Sequence, residues 1–190
     1  MYNHVMLDLE TLGERSKAVI TSVGGVLFDP DLGPEPDIKN FYHTIDIQDS
    51  LNHGLQVTGA TLKWWFHQDP VAAQRMFVDT KPLKTVLEDF TIWLNFHGGH
   101  DLYIWGKSPR FDIGLLEDAY HVCELEIPWD FRKERDVRTY IGQVPRIKEC
   151  VPKNNRPHEP ESDALYQISS VCEARRYIKI SPPVLQLAML

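Results

Sequence analysis

The sequence predicts an α/β fold, a mixed sheet flanked by helices, on three observations. Its first segment alternates apolar and polar residues, three β-rich segments follow one another without an intervening helix, and helical periods then interleave with a short apolar strand. From His4 to Glu10, Val5, Leu7 and Leu9 share one face and Met6, Asp8 and Glu10 the other. Period two means a strand, and it sets Asp8 and Glu10 side by side. Ala18 to Phe28, rich in Val, Ile and Thr, reads as a second strand, bulged or closely packed at Gly24-Gly25. Asp29-Pro30-Asp31 and Gly33-Pro34 supply the turn after it, and Phe41 to Ile47 a third strand, which together suggest an antiparallel meander.

Helices take over downstream. Asp69-Pro70 places an N-cap before a first-turn proline and opens a helix to about Phe77. Leu83, Val86, Leu87, Phe90, Trp93 and Leu94 recur at helical spacing, and Gly98-Gly99 provides the stop. Leu102 to Trp105 is a short apolar strand. Ser108-Pro109 starts a helix carrying Phe111, Leu115, Leu116 and Ala119. A last helix runs from about Pro160 to Tyr177 with Ala164, Leu165, Ile168 and Val171 inward. The reading is one domain over residues 1–180, with 181–190 as a tail or packing arm.

Composition narrows the function classes. The chain has 190 residues, 43% hydrophobic and 25% charged, enough for one sizeable core without staples. No apolar run is long enough for a membrane span, and the start shows no basic, cleavable leader, so a cytoplasmic location is expected. Cys123, Cys150 and Cys172 form neither a zinc pattern nor a disulfide framework. The net charge of −7 runs against a plain nucleic-acid binder. Two facts soften that: a carboxylate site loaded with cations is far less negative, and basic residues crowd the stretch 132–156 (Arg132, Lys133, Arg135, Arg138, Arg146, Lys148, Lys153, Arg156). A solvated basic face explains such a stretch equally well.

Three acidic elements stand out. Asp8 and Glu10 in DLET form a pair of carboxylates, costly together unless a cation lies between them and suited to a hard divalent ion. A solvated strand face is the simpler account of D-x-E alone. Asp112, in WGKSPRFDIGLL, lies in the first turn of a helix, where the helix dipole alone could explain an acid. In RPHEPESDALYQ, Pro157 and Pro160 put His158 in the turn before the last helix and Asp163 on it, so both can face one cleft.

Taken in order, D-x-E on the first strand, an Asp after Phe on a middle helix and H-x₄-D before the last helix resemble the DEDDh branch of the DnaQ-like 3′→5′ exonucleases. The likeness spans roughly Val5 to Ala174. The segments MLDLETLG, SVGGVLFDP, TLKWWFHQDPVA and ERDVRTY are most similar to the small phage and bacterial members related to exonuclease VIII and RNase AS. The resemblance implies an RNase H-like fold with a mixed five-stranded sheet. It implies that Asp8, Glu10, Asp112 and Asp163 hold two Mg²⁺ or Mn²⁺ ions and that His158 takes the proton from the attacking water. The substrate would be a single-stranded or frayed 3′ end of DNA or RNA, the products nucleoside 5′-monophosphates. A homodimer is common among similar small exonucleases. A catalytically silent nucleic-acid-binding relative and a scavenger of very short oligonucleotides are the alternatives.

Substrate contacts follow from the same likeness. Thr11 and Leu12 match positions that touch the terminal nucleotide, with Leu12 wedged beside its base; ordinary loop packing is the plainer account. Trp64 and Trp65 point about 100° apart on a helix, so one is expected in the core while the other could stack on a base. Phe111, next to Asp112, is a further candidate. Asp136 and Arg138 match the subgroup's D-x-R-T element, with a helix cap and a salt bridge as the plainer readings. Glu159 and Glu161 are expected to add negative charge near the metals.

Overall fold

The computed structural model describes residues 2–37, 40–144 and 147–180. The segment 181–190 and Arg146 lie outside the described residues, as does the side chain of Lys148.

The first strand, β1 (His4–Thr11), is the centre of the sheet. Strand β2 (Ile20–Asp29) pairs antiparallel with it, setting Asp8 opposite Gly24 and Glu10 opposite Ser22, with a shift of register between Glu10 and Thr11. Strands β3 (Gly33–Pro34) and β4 (Phe41–Thr44) both pair with the outer side of β2, one along Phe28 and Asp29, the other along Ser22 to Gly25. On the opposite side of β1, β5 (Tyr103–Gly106) runs parallel to it, and β6 (Glu134–Asp136) runs parallel to β5. Six strand segments thus fill five positions of a mixed sheet.

The helices are α1 (Ile47–Asn52), α2 (Gly59–Trp65), α3 (Pro70–Arg75), α4 (Leu83–His97), α5 (Asp112–Val122), α6 (Val137–Ile141), α7 (Ile147–Cys150) and α8 (Pro160–Ile180). No helix among the described residues is long and apolar enough to cross a membrane. Two expected boundaries move. The strand read through Ile47 ends at Thr44, because the Asp46 carboxylate accepts the Asp49 amide at 2.7 Å and caps α1. The helix expected from Ser108-Pro109 begins at Asp112, after a turn in which the Phe111 amide donates to the Ser108 carbonyl. Elsewhere the local chemistry acts where expected: Asp69 caps α3 ahead of Pro70, and Gly98, at φ 134°, ends α4 in a conformation that other residues rarely adopt.

The alternation of β1 separates two cores. Val5, Leu7 and Leu9 pack with Val86, Leu87 and Phe90 of α4 and Ile113 and Leu116 of α5. On the opposite face, Met6 packs with Val26, Phe28, Trp105 and the α8 residues Ala164, Ile168 and Val171. Helix α8 can lie this close because β2 has no side chain at Gly24: a Cβ there would sit 2.6 Å from Pro160 Cβ and 3.0 Å from its carbonyl carbon. The first turn of α8 is thereby held against the strand opposite Asp8.

Candidate active site

Four carboxylates and one imidazole converge at the C-terminal end of β1. Asp8 and Glu10 project from the face that α8 covers. Asp112 comes from the first turn of α5, is 4% exposed, and accepts the amides of Lys107 (2.9 Å) and Ser108 (3.3 Å) on Oδ2. Its fit depends on Gly106, where a Cβ would lie 3.1 Å from the carboxylate. Asp163, on the first turn of α8, accepts the His158 amide at 2.7 Å and the Asn154 side-chain amide at 2.9 Å. His158 stands in the left-handed region at φ 64° in the turn before α8. Its ring meets Trp64 edge-on, centroids 4.9 Å apart, and lies 5.9 Å from that of Trp65. Glu10, His158 and Asp163 each offer one ligand atom, all within 4.8 Å of one another.

Electrostatics mark the cluster as incomplete without positive charge. Burial, then the charges of Asp112, Glu10 and Asp163, drive the Asp8 carboxyl well above the ordinary carboxylate range. Glu10 is pushed up to about 8 by burial and by Asp163 and Asp112. Burial raises Asp112 to about 6 against the lowering effect of the amides it accepts. Three crowded oxygen donors that resist ionisation, with Asp163 and an imidazole beside them, fit the hard divalent cations the sequence reading expects.

The remaining candidates divide. Trp64 is 43% exposed and, with Leu9, Glu10, Thr11 and Phe111, lines a hollow of about 490 Å³ beside the carboxylates. Trp65 borders the same hollow but is 5% exposed, its indole N–H donating to the Thr11 carbonyl at 2.9 Å, so it is the core member of the pair. The Thr11 hydroxyl donates to the Gly13 carbonyl. Leu12 does not form the expected wedge: it is 3% exposed and packed in the main core, because the register shift after Glu10 turns it inward. Asp136 caps α6 through the Arg138 amide, while the Arg138 guanidinium opens onto a neighbouring cleft.

The expectations about charge divide. Glu159 adds little negative charge at the carboxylates, since it forms ion pairs with Arg75 and Arg156; Glu161 accepts a hydrogen bond from the neutral Asn40 side chain, which leaves the expectation standing there. Much of the basic stretch is engaged locally: Arg132 pairs with Asp130, Lys133 with Asp101, and Arg135 lies over the Tyr103 ring. Sequence reading also missed Gln167, 2% exposed, whose Nε2 donates to Asp8 Oδ1 at 2.7 Å. Its position four residues after Asp163, on the same helix face, was the available signal. Asn154 carried none.

Comparison with known proteins gives the family and the fold. Residues 3–174 match the family model described as the 3′-5′ exoribonuclease Rv2179c-like domain. An exodeoxyribonuclease of Enterobacteria phage T4 is 24% identical over 170 residues, covering 76% of this chain and 73% of that protein. Among solved structures, cell-death related nuclease 4 superposes with a TM-score of 0.67 at 16% identity, over 93% of this chain and 64% of its own length. The nuclease domain of 3′hExo, a DEDDh family member bound to rAMP, superposes with a TM-score of 0.64 at 14% identity, over 95% and 94%. At such identities the likeness is one of fold, the RNase H-like fold of the DEDDh exonucleases.

Proposed function

The chain belongs to the Rv2179c-like family of 3′-5′ exonucleases, and from that premise we propose that it hydrolyses single-stranded or frayed nucleic acid from the 3′ end, releasing nucleoside 5′-monophosphates. The observation that carries the reading is the meeting of Glu10, His158 and Asp163 within 4.8 Å, beside Asp8 and Asp112. Divalent cations, two Mg²⁺ or Mn²⁺ held by Asp8, Glu10, Asp112 and Asp163, would supply the Lewis acidity that activates water and steadies charge on the leaving oxygen.

The chain's own residues do the rest. His158 accepts the proton of the attacking water, as a general base standing beside the carboxylates. The water oxygen forms the new bond to phosphorus, the P–O3′ bond breaks, and the freed 3′ oxygen takes a proton from solvent. Trp64 and Trp65 restrict the imidazole ring, and the Asp163 carboxylate holds the turn that carries it. Gln167 fixes one oxygen of Asp8 and leaves the other for a cation. The hollow lined by Trp64, Thr11 and Phe111 receives the terminal nucleotide, whose base stacks on the exposed Trp64 face.

The test uses matched 5′-labelled single-stranded DNA and RNA with Mg²⁺ or Mn²⁺. A ladder shortening from the 3′ end, lost in EDTA and with Asp8→Ala, is the expected result, and its rate on each strand assigns the sugar. No shortening of either strand, with the fold intact and metal present, overturns the reading.

A further inference from the structure

Next to the nucleotide hollow lies a second, larger cleft of about 790 Å³, sharing Glu14 and Phe111 with the first. Arg15, Arg110 and Arg138 line it, from three segments far apart in sequence: the loop after β1, the turn before α5, and α6. All three are exposed, and none has an ion pair among the described residues. That sets them apart from Arg132, Lys133 and Arg156, each engaged by a carboxylate. Of the two acids lining the cleft, Asp118 accepts the Lys17 amide at 2.8 Å and Glu14 stands at the mouth of the nucleotide hollow.

We propose that this cleft binds the phosphates of the strand upstream of the scissile bond, with Arg15, Arg110 and Arg138 as contacts and Phe111 at the threshold between the two hollows. Unpaired guanidiniums present planar donor forks to phosphate without first breaking an ion pair. They also answer the charge problem: a chain of net charge −7 gathers three cations in the cleft that adjoins the nucleotide hollow. The ligand's identity rests on the exonuclease reading; the cleft's chemistry does not.

The experiment is fluorescence anisotropy in EDTA, where no cleavage confounds binding. It compares a labelled single-stranded dinucleotide and 12-mer against wild type and the Arg15→Gln/Arg110→Gln/Arg138→Gln variant, checked for folding by circular dichroism. Wild type is expected to prefer the 12-mer, and the variant to lose at least about tenfold of that preference. The slope of log affinity against log salt is expected to flatten by about 2, for three lost phosphate contacts on a single strand. Unchanged slope and preference, or an equal loss on both lengths, overturns the proposal. Failure of the exonuclease reading is seen separately, as absence of mononucleotide release by wild type with metal.

Discussion

The two faces of β1 are built from the same strand and ask opposite things of it. Toward α4 and α5, Val5, Leu7 and Leu9 are sealed in a core with no titratable neighbour from the strand. Toward α8, Met6 is equally buried, but Asp8 and Glu10 stand among two further carboxylates that raise the free energy of their charged forms. One face spends its packing on stability and the other surrenders some of it to hold charges in place. Strand alternation is the cheapest way to do both, because successive residues cannot share a face.

The largest expected effects come from exchanging these roles at adjacent positions. Asp8→Asn should lower turnover more than about 10⁴-fold, by removing charge stabilisation worth several kcal/mol. The same variant should melt higher than wild type when both are free of metal. Leu7→Ala should behave oppositely, losing about 2–5 kcal/mol of stability while the surviving folded fraction keeps its turnover. Thermal melts and single-turnover rates on the pair check this, and an Asp8→Asn protein less stable than wild type would contradict the strained acidic face.

Next in size, His158→Ala should lower turnover by about 10²–10⁴-fold and flatten the acid limb of the pH–rate profile. A profile of unaltered shape would remove His158 from the chemistry. The neighbouring glycines then offer the cleanest contrast between faces. At Gly24 a Cβ meets the Pro160 backbone at 3.0 Å, so Gly24→Ala must push the first turn of α8 outward; a shift near 1 Å should cost about 10²-fold in rate. At Gly25 the nearest atoms are the rings of Phe90 and Trp93 at 3.3–3.4 Å, and Gly25→Ala should leave the rate within a few-fold. Equal rate losses would show that the closeness of α8 does not set the site.

The smallest effect is the dependence of stability on pH without metal. Glu10 titrates at about 8 and Asp112 at about 6 in the fold, above ordinary values of 4.5 and 3.8. A raised carboxyl favours the folded state while protonated, so its contribution is whole below the ordinary value and is lost as pH climbs through the raised one. The melting temperature in EDTA should therefore fall between about pH 4.5 and 8, and added Mg²⁺ should restore more at pH 8 than at pH 5. A flat curve in EDTA would break the link between burial and repulsion.

What could be read from the chain followed from periodicity and from caps. The alternation of β1, the apolar stripe of α4 and the proline-flanked start of α8 are local signals, and the structure has all three. Helix α1 escaped because Ile45 and Ile47 suit a strand, and only the Asp46 cap turns the chain. Strand β6 escaped because Glu134, Arg135 and Asp136 carry no apolar period to reveal it. At the site, acids in a recognisable order could be picked out; contacts created by folding could not. Gln167 on Asp8, Asn154 on Asp163 and the three arginines of the outer cleft come together from segments that carry no mark of one another.

The bare contact between Gly24 and Pro160 has a consequence for how this chain can change over time. A distance set by strand backbone against a proline ring carbon and helix backbone has no freely turning rotamers to drift, so the spacing of strand and helix carboxylates is insulated from repacking in the main core. Val5, Leu7, Leu9 and their partners can be exchanged for residues of similar volume while the acids keep their places. Divergence is therefore channelled: the far face is free to vary in composition, and the site tolerates that variation as long as one position on β2 stays without a side chain.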